Sequence, residues 1–204
     1  VLLITTKEDS AEQLITKVYP VADLVLPIVT NLGASGGFGS NMGDRLAAIM
    51  EGIESLDSTG GIRVRRVATI LETEPVGVEG HEPYLNTVVE IETGLPPGEL
   101  LDACLSVERS MGRERIDGGP VEPRRLDIDL LLIDGEVMEE PGLRVPHLRM
   151  HERAFVLVPM VELAPELVHP VIGITMKAAL AAETELNGPL EVRCAILKPR
   201  SLLD

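Results

Sequence analysis

The segment at residues 124–133, which reads RRLDIDLLLI, constrains the fold of this chain more than any other. Its aliphatic residues, its lack of internal Gly or Pro, and the turn signal that follows at Asp134-Gly135 predict a β-strand. Residues two apart on a strand point to the same face, so Asp127 and Asp129 are expected to lie side by side. The aliphatic residues that alternate with them are then expected to face a core.

This arrangement of two carboxylates suggests a metal site. At a spacing of about 7 Å along a strand, two ionised carboxylates repel each other unless a cation lies between them. Mg²⁺ prefers oxygen ligands and usually takes one or two carboxylates together with substrate phosphates. Arg124 and Arg125 precede the pair and suit phosphate oxygens. The segment therefore indicates a magnesium–nucleotide site, with a strand that merely begins with polar residues as the alternative.

Composition and charge narrow the class of partner. The chain has 204 residues, 45% of them apolar and 25% charged, which is typical of an ordinary globular protein with one sizeable domain. A net charge of −15 argues against nucleic acid and anionic membranes as main partners. No stretch reaches the roughly 18 apolar residues of a membrane span, and no signal-peptide pattern is present. We therefore expect a cytoplasmic protein, in which Cys104 and Cys194 are reduced thiols.

The first 38 residues are predicted to be an extension of unknown role. The glycine-rich stretch at residues 33–39 is typical of a flexible linker. It contains no G-K-[ST] and misses the dinucleotide fingerprint, so we do not interpret it as a phosphate-binding loop. We place the main domain at residues 39–183 and a C-terminal tail at residues 184–204.

Hydrophobic periodicity in the main domain predicts alternating helices and strands. A bulge is expected at Arg65-Arg66, where the alternation of the first strand slips. Residues 113–124 are charged and contain glycine, which predicts a mobile loop beside the aspartate pair. The first predicted elements are, in order, a helix from residue 40 to Gly60, strands at 62–71 and 84–92, and a helix at 96–111. They are followed by the strand at 124–133, which a hairpin at Asp134-Gly135 joins to a further strand, a short helical turn from Pro146-His147, an apolar stretch at 155–163 and a last helix at 174–182.

This order of elements predicts an α+β fold. Runs of strands between helices favour an antiparallel sheet with helices packed on its faces. With one more strand ahead of the first helix, the arrangement would be ferredoxin-like.

Six short motifs occur in a fixed order along the chain. They are GSNMGDR at 39–45, ETEPVG at 72–77, PYLN at 83–86, GRER at 112–115, PRRLDID at 123–129, and VPH at 145–147 followed by RAF at 153–155. In this order and at these spacings, the region from Gly39 to about Lys177 resembles the 6-hydroxymethyl-7,8-dihydropterin pyrophosphokinase family of folate biosynthesis.

The resemblance implies transfer of the terminal diphosphate of ATP to the hydroxymethyl group of the pterin, with release of AMP. It also implies two Mg²⁺ ions held by Asp127 and Asp129, with ATP as co-substrate. Such a transfer needs in-line positioning and charge neutralisation more than covalent help from the protein. The expected partners are therefore small molecules and neither nucleic acid nor membrane, and we expect a monomer.

The resemblance further implies roles for individual side chains. Those implied for the nucleotide are Arg113, Arg115, Arg124, His147 and Arg153. Those implied for the pterin are Thr73, Val76, Tyr84, Asn86 and Phe155. Arg113 and Arg124 complete the catalytic set with the two aspartates. Taken singly, the mobile-loop arginines could also be solvated surface residues, the histidine a capping or packing residue, and the phenylalanine a core residue.

Two departures from the family pattern keep alternatives open. No Trp precedes the Pro-Arg pair, and Val121 stands near that place. The strand that opens the family's domain is replaced by the glycine-rich stretch, and Pro27, in the apolar segment before it, lacks a ladder donor. A non-catalytic, ferredoxin-like interaction module descended from the enzyme is one alternative. A related Mg-dependent kinase with another acceptor is a second.

Overall fold

The computed structural model describes residues 16–19, 40–73, 83–111, 126–133 and 136–196. Four of the predicted site residues lie outside these ranges: Val76, Arg113, Arg115 and Arg124. The predicted linker at 33–39, the predicted loop at 113–124 and Val121 also lie outside the described residues.

The described helices confirm the helical part of the prediction. The two predicted for the first half of the main domain and the last one are present, and the apolar stretch near residue 160 is also helical. The helices are α1 (Ser40–Asp57), α2 (Pro97–Ser110), α3 (Ala154–Leu163) and α4 (Met176–Asn187), with a 3₁₀ turn at Met150–Glu152. In the part of the chain that the structure describes, no helix combines the length and apolar character needed to cross a membrane.

The described strands form two antiparallel three-stranded sheets and a hairpin. They are β1 (Thr16–Tyr19), β2 (Ile62–Val67), β3 (Ile70–Thr73), β4 (Tyr84–Asn86), β5 (Val89–Thr93), β6 (Met138–Glu140), β7 (Leu143–Val145) and β8 (Val192–Ile196). The first sheet has the order β1-β5-β2, the second has the order β4-β3-β8, and β6 pairs with β7. Helices combined with antiparallel sheets confirm the predicted α+β class.

Each of the two long predicted strands is divided between the two sheets. The predicted strand at 62–71 becomes β2 and β3, and the one at 84–92 becomes β4 and β5. Two hydrogen bonds join the residues at which these strands are divided. The N–H of Ala68 donates to the carbonyl of Val88 at 2.8 Å, and the Thr87 hydroxyl donates to the carbonyl of Ala68 at 2.9 Å. The predicted bulge is present as a register shift between Val64 and Arg66.

Both ends of the described chain add a strand to one of the two sheets. Within the N-terminal extension, β1 lies antiparallel to β5, with Lys17 opposite Ile91. Within the predicted tail, β8 lies antiparallel to β3, with Ala195 opposite Leu71.

The prediction of a β-strand at 124–133 is wrong for the residues that the structure describes. Residues 126–133 are assigned to no strand and pair with no described strand. Their main-chain groups bond elsewhere, because the N–H of Ile128 donates to Glu108 Oε1 at 2.8 Å and the carbonyl of Leu131 accepts from the N–H of His147 at 2.9 Å. The alternation of aliphatic residues therefore predicted correctly which side chains are buried. It did not predict strand pairing, which also requires a partner strand in register.

Two apolar clusters meet on the segment at residues 126–133. Leu126, Ile128 and Leu130 belong to a core shared with α1, α2 and the first sheet. Leu131 and Leu132 belong to a second core, formed mainly by α3 and α4. Full burial of one such side chain stabilises a fold by about 1.5–3 kcal/mol, so apolar contacts on both sides contribute strongly to holding the segment in place.

Candidate active site

Asp127 and Asp129 open into the same cavity. Both are half-buried, whereas Leu126, Ile128 and Leu130 are buried, so burial alternates along the segment as it would on a strand. The cavity has a volume of about 390 Å³ and includes both aspartates in its lining. The two carboxylates thus share one side of the segment and remain accessible to a ligand.

His147 brings a neutral ring to the same cavity. Its Nε2 lies 4.0 Å from Asp129 Oδ2, and its Nδ1 accepts a hydrogen bond from the N–H of Arg149 at 3.3 Å. Burial, followed by the nearby charges of Arg153 and Arg149, lowers the pKa of His147 to about 4, against a smaller opposing effect of Asp127. The ring is therefore uncharged at neutral pH, and because Nδ1 accepts, its remaining proton is on Nε2.

Glu108 is a buried acidic residue of the cavity that sequence reasoning missed. It is 1% exposed, lies on α2 and accepts the N–H of Ile128, the residue between the two aspartates. Burial, with a smaller contribution from Glu108, raises the pKa of the neighbouring Cys104 thiol to about 12. A signal was present in the sequence, since a glutamate four residues after Cys104 falls on the buried stripe of an amphipathic helix.

The hairpin β6–β7 supplies another wall of the cavity. Glu139 and Arg144 line it and form an ion pair at 3.3 Å. Leu148 also lines the cavity and is exposed. No motif pointed to Arg144, which brings a further cation to this face.

Thr73, Tyr84 and Asn86 come together on the ladder between β3 and β4. Thr73 is paired with Tyr84, and Leu71 is paired with Asn86. The Asn86 amide Nδ2 donates to the Thr73 hydroxyl at 2.9 Å, and both residues are buried. Paired residues, and residues two apart on a strand, share a face. The predicted sharing of a face by Tyr84 and Asn86 therefore agrees with the register.

Arg153 and Phe155 stand at the start of α3. The guanidinium carbon of Arg153 lies 5.7 Å from the centroid of the Phe155 ring, within the range of a cation–π contact. Arg153 is also one of the charges that lower the pKa of His147, so it lies near the aspartate cavity.

The predicted residues thus fall into two groups. Asp127, Asp129 and His147 line one cavity. The other described site residues are not part of its lining: Thr73, Tyr84, Asn86, Arg153 and Phe155.

The ligands in the cavity suit an Mg²⁺ ion that also binds substrate and water better than they suit a metal ion bound by protein side chains alone. Within the described ranges, no group of three or more His, Cys, Asp or Glu side chains is placed to hold a metal ion. Two accessible carboxylates on one side of a segment, however, are what Mg²⁺ uses when a substrate phosphate and water complete its coordination.

Comparison with known proteins places these residues in a family context. Residues 36–165 match the family model described as 7,8-dihydro-6-hydroxymethylpterin-pyrophosphokinase. The chain is 43% identical over 147 residues to the 2-amino-4-hydroxy-6-hydroxymethyldihydropteridine pyrophosphokinase of Methylorubrum extorquens, an alignment that covers 71% of this chain and 89% of that protein. The identity to the protein of the same name from Bacillus subtilis is 39% over 151 residues, covering 74% of this chain and 84% of that protein.

A fungal relative is much longer. The chain is 42% identical over 144 residues to the folic acid synthesis protein fol1 of Schizosaccharomyces pombe, which covers 70% of this chain but only 19% of that protein. The chain therefore spans about a fifth of the fungal protein and most of the length of the two bacterial ones.

Proposed function

The chain belongs to the 7,8-dihydro-6-hydroxymethylpterin-pyrophosphokinase family, and on that premise we propose that it transfers the terminal diphosphate of ATP to the hydroxymethyl group of 6-hydroxymethyl-7,8-dihydropterin. AMP is the other product, and the reaction belongs to folate biosynthesis. The observation that carries the proposal is the cavity shared by Asp127, Asp129 and His147. We call these three residues the nucleotide side of the site.

Asp127 and Asp129 would hold two Mg²⁺ ions together with the phosphates of ATP. Their half-buried carboxylates keep an open path to the cavity while the residues between and beside them anchor the backbone. When bound, the ions would neutralise the negative charge of the phosphates. The protein's own contribution is to hold two oxygen donors at a fixed spacing, so that little reorganisation is needed when the complex binds.

His147 contributes a neutral donor. With its proton on Nε2, the ring can donate a hydrogen bond to a phosphate oxygen without adding a cation beside the metal site. The low pKa keeps it in that state throughout the physiological range. Because the N–H of Arg149 holds Nδ1, the donor is already oriented before ATP binds.

Arginines supply the remaining charge for the nucleotide. We propose that Arg113, Arg115 and Arg124 join Arg153 in contacting the triphosphate, with Arg113 and Arg124 acting directly on the transferred group. Guanidinium groups suit this role because they donate two parallel hydrogen bonds to phosphate and keep their charge.

The pterin would bind against Thr73, Tyr84 and Asn86, which we call the pterin side of the site, with Val76 and Phe155 as further contacts. The hydrogen bond from Asn86 to Thr73 fixes which way the amide faces, so the amide can recognise the edge of a heterocycle in one orientation only. An aromatic wall adds about 0.5–1.5 kcal/mol beyond burial when a flat ring stacks on it.

We further propose a ferredoxin-like arrangement in which β1 joins the sheet of the catalytic domain, which we place at residues 39–183. Its support is the order β1-β5-β2, which sets the strand before α1 beside the strand before α2, as in a split β-α-β unit. Residues 1–38 would then be an extension that contributes β1, and residues 184–204 a tail that contributes β8. We propose that the protein acts as a cytoplasmic monomer.

An assay of AMP release tests the proposed function. We expect the full chain to release AMP from ATP only when both Mg²⁺ and 6-hydroxymethyl-7,8-dihydropterin are present. A chain lacking residues 1–38 would show whether the extension is required. Calorimetry with a non-hydrolysable ATP analogue and with the pterin separates the alternatives, since a non-catalytic module would bind neither. A panel of other heterocycles would reveal a kinase with a different acceptor.

A further inference from the structure

Arg45 is a buried arginine on α1 that none of the proposed binding roles accounts for. Its side chain and that of Glu72 are each 8% exposed, and Arg45 Nη2 donates to Glu72 Oε1 at 2.8 Å. Its Nη1 donates to the carbonyl oxygen of Pro83. Burying a charge is costly even when it is paired, and apolar residues of similar volume often serve stability as well or better. Stability alone is therefore a weak reason for this arrangement.

The two acceptors of Arg45 belong to the ends of neighbouring strands. Glu72 lies in β3 one residue before its end, and Pro83 comes directly before β4. Thr73 and Tyr84 form the last described register pair at this end of the ladder. Pro83 has no N–H to donate to a ladder. Its carbonyl accepts a hydrogen bond from the guanidinium of Arg45.

Arg45 reaches the ladder from the face opposite the pterin side. Successive residues of a strand point to opposite faces, so Glu72 and its partner Leu85 face away from Thr73 and Asn86. Leu85 packs in the core that includes residues of α1, such as Ile49, which places this face against the helix. Arg45 therefore contacts the back of the two strands whose front carries the proposed pterin contacts.

We propose that Arg45 is a positioning residue for the pterin: it ties β3 and β4 together from behind and so holds Thr73 and Asn86 at their hydrogen-bonding distance. This inference rests on the proposed function. The nucleotide side is anchored by other groups, namely Glu108 and the carbonyl of Leu131. Loss of Arg45 should therefore weaken pterin binding selectively.

The test is calorimetry on the full chain with Arg45→Met. We expect the dissociation constant of the pterin to rise by about tenfold, the effect of losing one hydrogen bond to a charged group. The dissociation constant of a Mg²⁺-bound, non-hydrolysable ATP analogue should stay within about twofold, and steady-state assays should show a higher KM for the pterin with the KM for ATP unchanged.

A double variant separates positioning from stability. In Arg45→Met the carboxylate of Glu72 is left buried without its partner, which lowers the midpoint of thermal unfolding. Arg45→Met/Glu72→Met removes both charges, so the midpoint should recover while the pterin dissociation constant stays high. Arg45→Lys, which keeps the charge but cannot span both acceptors with a planar fork, should lie between the wild type and Arg45→Met.

Arg66 offers a control that matches Arg45 in its kinds of contact, with a side chain that is 46% exposed. It pairs with Glu90 and donates to the carbonyl of Leu163 at 2.9 Å, so it also joins one carboxylate and one main-chain oxygen. Arg66→Met should lower the midpoint of thermal unfolding without changing the dissociation constant of the pterin or of the ATP analogue.

Several outcomes would overturn the positioning role. Equal weakening of pterin and nucleotide binding in Arg45→Met is one, and recovery of pterin affinity in the double variant is another. In both cases a wild-type chain that releases AMP would leave the proposed function intact. A wild-type chain that binds no pterin would refute the proposed function, and the positioning role with it.

Discussion

The nucleotide side and the pterin side of the site are held by different kinds of contact. Thr73, Tyr84 and Asn86 stand on paired strands, where register determines which side chains meet. Asp127 and Asp129 stand on a segment that is not paired with any described strand and that a buried glutamate and two apolar cores hold in place. A ladder restrains neighbouring side chains collectively, whereas an unpaired segment depends on each anchor separately. Perturbations should therefore stay confined to one side of the site.

The largest expected effect comes from removing a carboxylate on the nucleotide side. Asp127→Asn or Asp129→Asn should lower the rate of AMP release by about 10²–10³-fold, since each removes a ligand of the Mg²⁺ that would stabilise the charge of the transferred group. The pterin dissociation constant should be unchanged. Asp102→Asn, at an exposed position on α2, is the control for the loss of one negative charge. If either variant keeps full activity, the metal assignment is wrong.

The second effect acts on the pterin side. Thr73→Val preserves shape but removes the hydroxyl that accepts from Asn86, which leaves a buried amide group unsatisfied at a cost of about 1–3 kcal/mol. We expect the free energy of unfolding to fall by that amount and the pterin affinity to fall by about tenfold, with ATP binding unaffected. Both quantities are measurable by denaturant titration and calorimetry.

Thr87→Val is the matched control for that change. Thr87 is also buried and its hydroxyl donates to the carbonyl of Ala68. The Thr87→Val variant should have a lower free energy of unfolding and an unchanged affinity for the pterin. If both variants weaken pterin binding equally, register at the β3–β4 ladder does not distinguish the pterin side.

A smaller effect is expected where α1 approaches the unpaired segment. A Cβ placed on Gly52 would lie 2.5 Å from Leu126 Cδ2, next to Asp127. Gly52→Ala should destabilise the fold by about 1 kcal/mol, because overpacking of the core outweighs the gain in helix propensity. Gly98 lies on α2, where an added Cβ would have no atom within 4 Å, so Gly98→Ala should be neutral or stabilising. A Gly52→Ala protein as stable and active as the wild type would show that the segment tolerates displacement.

The smallest effect is the pH dependence due to His147. Its pKa is lowered from 6.5 to about 4 in the folded protein, so the unfolded chain binds the proton more tightly. The free energy of unfolding should therefore fall as the pH drops from about 6.5 to about 4, with no further loss from this group below that range. Denaturant titrations of the metal-free protein would measure the slope, and His147→Gln should make it shallower. An equal slope in both proteins would contradict the lowered pKa.

Local patterns in the sequence predicted much of this structure. The apolar spacing from Leu46 to Leu56 predicted α1, and the slip at Arg65-Arg66 predicted the bulge in β2. Alternation at residues 126–130 predicted which side chains are buried. The roles of individual site residues remain predictions, and the three arginines at positions 113, 115 and 124 lie outside the described ranges.

Contacts between distant parts of the chain escaped prediction. The strand at 124–133 was expected because its composition suits a sheet, yet its main-chain groups bond to Glu108 and His147. The bond from Arg45 to Glu72 joins residues 27 apart in sequence.

What the sequence determined by itself is therefore local: the helical and extended periods, the alternation of buried and accessible side chains, and the chemical types that suit a magnesium–nucleotide complex. Only the tertiary structure decided which strands pair, that the aspartate segment lies outside the described sheets, and that α1 reaches the back of β3 and β4. The physical reason is that periodicity reports the environment of each side chain, whereas hydrogen-bond partners depend on register and packing between segments far apart in the chain.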